Sequence, residues 1–393
     1  MDIIYLIIFI TISLPFITNV TISIYTFFYQ HFIYQQFIQP KFDRHYKPHC
    51  TIIIPAKGTS PTQLAGLTSF LTQNYPSYQI IFTIESQTDS AYPVLQSLIN
   101  KYPHSRLVIA GLSQSCCQKN HNLIQAIQTI SHQDGILVFA DSDMIVSRHW
   151  LSEMVAPLSR SQIKASTTYF WPNSTSGSIG EQTHNFMDIF TYTAFCFATN
   201  LLKSSLLWGG SIAIRHQDFI DLNIAKSWSN QAVDDTSMSD ILRKKNYQTC
   251  FIPASLCHAQ SSIQSFSQST NWYVRQISYL KFYRRELWLY LIISSFSIYT
   301  FIYFWLPFTY LVDQPYYYFI YIPFIYIFGE MYIAYLYLQL GYITQPLKFV
   351  LLAPIYKFAQ YISFTQTLFT KRIIWSGTTY QIDRHGHVSD IKR

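Results

Sequence analysis

Gly135-Ile136-Leu137-Val138-Phe139-Ala140-Asp141-Ser142-Asp143 runs an apolar stretch of strand length into two carboxylates two positions apart. Buried strands seldom end in two uncompensated charges unless something cationic sits there. Asp-x-Asp at a strand end suits a hard divalent ion, which takes oxygen ligands and usually also holds a phosphate. The plainer alternative is that Asp143 caps the turn that follows.

Working outward, strands and helices alternate. Cys50 to Gly58 reads as a buried strand entering a loop, and Gln63 to Asn74 as a helix ended by Tyr75-Pro76. Tyr78 to Glu85 is a second strand, Ala91 to Lys101 a helix, Ser105 to Ile109 a strand and Lys119 to Ile130 a helix. Alternation of this kind implies right-handed crossovers and a mostly parallel, Rossmann-type α/β sheet. Ligands of such sheets bind at the carboxyl ends of the strands. The loops at Ala56-Lys57-Gly58, Asp89 and Asp141–Asp143 all follow strands and are expected to converge. The second half is less regular. Ser166 to Phe170 is a strand candidate, and Trp208 to Arg215 a Gly-rich turn entering a strand. Val233-Asp234-Asp235 starts a helix with acids in the first turn, as the dipole prefers. Asn271 to Gln276 lies on a helix leading toward the membrane.

The ends of the chain differ from its middle. Of 393 residues 49% are hydrophobic and only 12% charged, about half the soluble norm for charge. Ile3 to Phe28 is apolar enough and long enough to span a bilayer, and it lacks the basic start and small-residue cleavage site of a signal peptide. Leu287 to Val312 and Tyr316 to Leu340 read as two more spans, joined by Asp313-Gln314-Pro315. Leu347 to Phe369 carries Lys348, Pro354, Lys357 and Gln360. It reads as interfacial or re-entrant, with a fourth span as the alternative. Lys41, Arg44 and Lys47 after the first span, and Lys281, Arg284 and Arg285 before the second, put the intervening segment in the cytoplasm. Domains follow: 1–31 an N-terminal transmembrane helix, 45–285 the catalytic domain, 286–345 two transmembrane helices, 346–370 the interfacial segment and 371–393 a cytoplasmic tail. The expected location is an integral, multi-pass protein, at the inner membrane in a bacterium. The net charge of +7 suits an anionic leaflet. No basic patch interleaved with aromatics points to nucleic acid. Six cysteines without C-x-x-C spacing read as reduced cytosolic thiols. Glu330, inside the third span, is a functional candidate on its position alone.

Asp89, Asp141 with Asp143, the Val233-Asp234-Asp235 pair and Trp272-x-x-Arg275-Gln276, in this order, resemble family 2 glycosyltransferases. The likeness is strongest to the ceramide glucosyltransferase group, family 21, and its bacterial relatives. Pro55-Ala56-Lys57-Gly58, Tyr75-Pro76-Ser77-Tyr78, Lys119-x-x-Asn122-Leu123, Gly209-x-Ser211-x-x-x-Arg215 and Trp375-x-Gly377-x-x-Tyr380 are similar to further motifs of those families. The likeness covers roughly residues 45–385. The last acidic-to-basic motif departs: Trp272 stands where the family has Gln or Arg, and Gln276 where it has Trp.

The resemblance implies a GT-A-like domain inserted between transmembrane helices. It implies inverting transfer of a hexose, glucose foremost, from a UDP-sugar to a lipid hydroxyl on ceramide, diacylglycerol or a hopanoid-like acceptor. Asp143 and Asp141 would hold Mg²⁺ or Mn²⁺ against the diphosphate, and Asp235 would be the general base. Asp89 would bind uracil or ribose, Lys119 a phosphate, and Arg275, with Gln276 beside it, the diphosphate or the base carboxylate. Each has a plainer role: loop Asp, solvated helix Lys, snorkelling Arg, helix-terminal acid. A polysaccharide synthase, and an impaired member kept as a membrane scaffold, are the alternative functions.

Overall fold

The computed structural model describes residues 2–59, 63–130, 135–173, 177–260, 263, 265–300 and 321–393. The chain opens with α1 (Asp2–Phe28), continued by a π-helical segment Tyr29–Ile38. Then follow β1 (Cys50–Pro55), α2 (Gln63–Leu71), β2 (Tyr78–Ile84), α3 (Tyr92–Lys101), β3 (Ser105–Ile109), α4 (Gln118–Gln128) and β4 (Ile136–Ala140). Next come β5 (Met144–Ile145), α5 (Trp150–Val155), β6 (Ile163–Thr167), β7 (Phe170–Asn173), α6 (Ile179–Asn200) and β8 (Ser211–Arg215). The middle of the chain closes with α7 (His216–Asp221), α8 (Ile224–Trp228), α9 (Asp234–Lys244), β9 (Gln248–Phe251), β10 (Cys257–Gln260) and α10 (Phe266–Tyr283). The last elements are α11 (Arg285–Thr300), α12 (Tyr321–Gln339), α13 (Pro346–Phe369), β11 (Arg372–Trp375), β12 (Thr378–Ile382) and β13 (Val388–Lys392).

A seven-stranded sheet carries the middle of the chain, in the order β3-β2-β1-β4-β8-β6-β9. The strands β3, β2, β1 and β4 are parallel, β8 is antiparallel to both neighbours, and β6 and β9 are parallel. Every residue of β1 and β4 is buried, because helices cover both faces and leave no polar side. One core packs Phe70, Phe82 and Trp150 on one face; the other packs Leu123, Phe139 and Trp228. The mostly parallel sheet read from the sequence is therefore present, with the acidic turn leaving β4, next to β1.

Several boundaries differ from the expectation. The helix expected over Gln63 to Asn74 ends at Leu71, short of Pro76, whose preceding residue disfavours helix. The strand expected at Ser166 to Phe170 is two strands in two sheets. The chain crosses from one to the other at Thr168-Tyr169, where Thr168 Oγ1 bonds Ile252 O at 2.8 Å. The 22-residue α6 lacked a sequence signal, since apolar and polar residues are mixed along it. It is held instead by Ser178 capping Glu181 N–H and by packing on α10, with Ser269 Oγ donating to Gly180 O. The tail is more than an extension: β11, β12 and β13 form an antiparallel sheet against α10.

Leu347 to Phe369 lies on one continuous helix, α13, without a reversal. Its buried side, including Phe349, Ala353, Tyr356 and Ser363, packs on α6, α10 and α12. Its opposite stripe, Leu347, Leu351, Ile355 and Phe358, is exposed. Glu330 on α12 meets Lys357 of α13 at 3.1 Å, both buried. Among the described residues no helix is long and apolar enough to cross a membrane. Residues 301–320, and with them the end of the expected second span, the Asp313–Pro315 turn and the start of the third span, lie outside the described residues, as do most side chains of residues 1–15.

Candidate active site

The loop after β1, the turn after β4, the Gly-rich approach to β8, the start of α9, the middle of α10 and the β11–β12 turn enclose one cleft of about 470 Å³. Each contributes because the sheet brings its carboxyl edge here, and α10 and the tail sheet close over it.

Lys119 sits at the centre. It stands in the first turn of α4, whose cap is Cys117 Sγ accepting from Asn120 N. Asn120 Nδ2 in turn donates to Trp228 O and Gln231 O, tying α4 to the segment that leads into α9. The Lys119 ammonium lies 2.9 Å from Asp141 Oδ1, 3.1 Å from Asp234 Oδ2 and 3.1 Å from Gly209 O. Burial alone would lower its pKa, but Asp141 and Asp234 outweigh that and hold it well above the usual ammonium value. Asp234, 4% exposed, is pushed up to about 6 by burial despite Lys119.

Asp235 is the more open of the pair. Its Oδ2 accepts from Gly209 N–H at 2.7 Å, and its Oδ1 accepts from the Thr236 hydroxyl at 2.9 Å and the Thr236 N–H. Burial raises its pKa, while Lys119 and these donors restrain the rise. Gly209 keeps the charged ends together: a Cβ there would lie 2.9 Å from Asp234 Oδ2, 3.0 Å from Asp235 Oδ2 and 3.0 Å from Lys119 Nζ, so these side-chain ends would have to shift to admit one.

Asp143 opens into the cleft and makes no ion pair among the described residues. The enclosing walls, and then Asp141, raise its pKa to about 6. Two carboxylates crowded this way fit a divalent cation. Among the described residues no group of three or more His, Cys, Asp or Glu is placed to hold a metal; an ion held here would take one or two carboxylates and complete its shell with water and substrate phosphates.

Arg275 and Gln276 line the cleft from α10, and Tyr279 follows a turn later. Among the described residues the Arg275 Nε has no hydrogen-bond partner. Trp272 turns away from the cleft and stands edge-on to His184 of α6, with centroids 4.4 Å apart. Burial, aided by the Arg275 charge, pushes His184 down to about 4. Its Nε2 is 3.3 Å from Asp188 Oδ2, and burial raises that carboxyl well above the usual range. Burial disfavours the charged form of both groups, which is how the fold tolerates them there.

The structure thus gathers Asp141, Asp143, Lys119, Asp235, Arg275 and Gln276, all expected from the sequence. Asp89 is the exception, since it does not line the cleft. Its Oδ1 accepts from Gly58 N and Ala91 N, each at 2.9 Å, so it shapes the loop whose Gly58 does line it. Arg215 lies at the far end of β8, paired with Asp218 at 2.7 Å and bonded to Ile163 O. Lys57 bridges to Glu85 at 2.9 Å. Trp208, Tyr279 and Trp375 were not anticipated as site residues. Trp375 had a signal, the Trp-x-Gly-x-x-Tyr ending; Tyr279 had only its place one turn beyond Arg275.

Ceramide glucosyltransferase of Komagataella phaffii (strain GS115) is 31% identical over 125 residues, 30% of this chain and 24% of that protein. Ceramide glucosyltransferase 1 of Caenorhabditis elegans is 25% identical over 123 residues, 31% of this chain and 26% of that protein. The aligned part spans about a quarter of the length of these curated relatives. The mannosyltransferase PcManGT from Pyrobaculum calidifontis, solved in complex with GDP-Man and Mn²⁺, superposes with a TM-score of 0.52 at 14% identity, over 88% of this chain and 99% of that one. That likeness is one of fold, an α/β GT-A-like glycosyltransferase architecture with a mostly parallel central sheet. The sequence profile of glycosyl transferase family 21 matches residues 14–388, and the chain belongs to that family.

Proposed function

We propose that this chain is a membrane-bound, inverting glycosyltransferase that moves a hexose, glucose foremost, from a UDP-sugar to the hydroxyl of a lipid such as ceramide, diacylglycerol or a hopanoid-like acceptor. The observation that carries the reading is the set of Lys119, Asp141, Asp143, Asp234 and Asp235, from three separate stretches of chain, in one cleft at the strand ends. The names of the curated relatives support glucose as the sugar and ceramide as the acceptor.

Asp143, with Asp141 behind it, would hold Mg²⁺ or Mn²⁺ against the diphosphate, where the ion neutralises charge on the departing UDP. Lys119 pairs with Asp141 and Asp234 side by side and puts a positive charge in the same wall. Arg275 offers a planar fork to the diphosphate oxygens. Gly209 N–H and Thr236 fix the Asp235 carboxylate in one orientation. Oδ2 accepts one hydrogen bond there, and its second lone pair is left to take the acceptor hydroxyl proton as the glycosidic bond forms.

The membrane reading rests on the ends of the chain. The exposed Phe324, Phe328 and Met331 of α12 and Leu347, Leu351 and Ile355 of α13 form apolar stripes on helices whose other sides are packed. In this reading α1 spans, residues 286–345 supply two further spans, and α13 lies along the interface beside α6 and α10. The acceptor would then present its headgroup from the cytoplasmic leaflet.

The full chain in vesicles containing ceramide or diacylglycerol, given labelled UDP-hexoses with and without Mn²⁺ or Mg²⁺, should yield a glycolipid identified by mass spectrometry. No lipid-linked sugar from any donor would refute the proposal.

A further inference from the structure

The C-terminal sheet does more than cover the fold. Its first hairpin closes with Trp375 opposite Thr378, around a two-residue turn. Ser376 and Gly377 have φ of 47° and 80°, left-handed at both positions as a type I′ turn requires. That turn puts the Trp375 indole and Ser376 into the wall of the cleft.

The sheet is tied to the elements that carry Lys119 and the Asp234–Asp235 pair, and to α10. Tyr380 Oη accepts from Gln118 N at 3.1 Å, at the start of the helix that bears Lys119. Val388 N donates to Asn230 O at 2.8 Å, and Gln231 bridges to His387, just before Asp234 and Asp235. Tyr283 of α10 accepts from Ala232 N at 3.1 Å and donates to Gly386 O at 2.8 Å. Trp375 itself packs into the cluster of Cys117, Val233 and Tyr380, with Tyr279 at its border.

These contacts seat Trp375 in the same part of the cleft wall as Cys117 and Val233, the latter two positions before Asp235. A base must touch the hydroxyl it deprotonates, so this part of the wall is the one that meets the acceptor. The chain also reaches it from the bilayer side. Phe369, 80% exposed at the end of α13, lies six positions before Trp375, and Lys281 of α10 pins that junction by donating to the carbonyls of Thr367, Leu368 and Thr370. An indole between an apolar helix end and a carboxylate suits a molecule with one greasy and one hydroxylated end.

We propose that Trp375, carried by the C-terminal hairpin, is the acceptor-side wall of the transfer site and packs against the headgroup of the lipid whose hydroxyl Asp235 deprotonates. This rests on the lipid glycosyltransferase reading above.

The test is steady-state kinetics of the full chain with UDP-glucose and short-chain ceramide or diacylglycerol. Acceptor KM, donor KM and hydrolysis of UDP-glucose to water are measured for wild type, Trp375→Ala and Trp375→Phe. The expected result is an acceptor KM raised about tenfold or more in Trp375→Ala, partial recovery in Trp375→Phe, and donor KM and hydrolysis within twofold of wild type. An unchanged acceptor KM in Trp375→Ala overturns the proposal, as does a rise confined to donor KM. If Trp375→Ala does not fold, Trp375→Phe decides, with an acceptor KM identical to wild type counting against. Wild type that transfers to neither lipid would instead refute the functional reading itself.

Discussion

Replacing Lys119 by Met should expose how the site keeps its carboxylates charged. The side chain, 13% exposed, contacts Asp141 and Asp234 at 2.9 and 3.1 Å. Removing one partner of a buried pair typically costs roughly 3–5 kcal/mol, because the other charge is left uncompensated. Protonation offers the site an escape. Asp234 already sits up at about 6 with Lys119 present, and losing the cation moves it higher. A folded carboxyl above its unfolded value is stabilising while protonated, and that contribution is lost as pH rises from the unfolded value through the folded one. In wild type that window runs from about 4 to about 6 for Asp234; in Lys119→Met it extends upward. The stability deficit of the variant should therefore be small up to about pH 6, where wild type loses the same contribution, and grow by up to about 3 kcal/mol by pH 8, at about 1.4 kcal/mol per pH unit while the group titrates in the variant alone. Unfolding midpoints of the detergent-solubilised full chain at pH 5, 7 and 8 in EDTA measure this. A deficit of equal size at all three, or none at all, would show that Lys119 does not neutralise the cluster.

Three other substitutions probe separate parts of the account. Asp143→Ala should weaken UDP binding about tenfold or more when Mn²⁺ is present and leave binding in EDTA unchanged; calorimetry with and without the ion distinguishes the two. Gly209→Ala places a methyl among Asp234, Asp235 and Lys119. Loss of the charge-assisted bond to Asp235 should lower kcat by about ten- to a hundredfold, equivalent to roughly 1.5–3 kcal/mol, with little change in unfolding midpoint. Glu330→Gln strands Lys357 in the helix bundle and should cost roughly 3–5 kcal/mol, while adding Lys357→Met should recover part of it; thermal unfolding of the single and double variants checks this.

The part of the fold that was legible obeys local rules. Strands such as Cys50–Pro55 and Ile136–Ala140 are buried on both faces, so their composition announces them. Carboxylates at a strand end are conspicuous because they are costly there, which is why Asp141 and Asp143 could be picked out; Asp235, in the first turn of α9, was marked by the family resemblance. What escaped depends on contacts far apart in the chain. The helix Ile179–Asn200 has no clean apolar face, being held from several sides by α1, α10 and α13. Trp375 belongs to the cleft only because Tyr380 and Tyr283 anchor the tail sheet over it. Asp89, expected to bind the nucleotide, also bonds Gly58 N–H, a loop-shaping contact that no spacing reveals. The exchange of Trp272 and Gln276 against the family motif has a simple spatial counterpart: the indole packs on His184 and the amide faces the cleft.

The central claim is that Asp235 is the base of a glycosyl transfer whose donor is held by the other carboxylates and Lys119. Single-turnover transfer by Asp235→Asn, measured beside its UDP-sugar affinity, tests this most directly. The account predicts transfer slowed by about a hundredfold or more with donor affinity close to wild type. Transfer at the wild-type rate would contradict it.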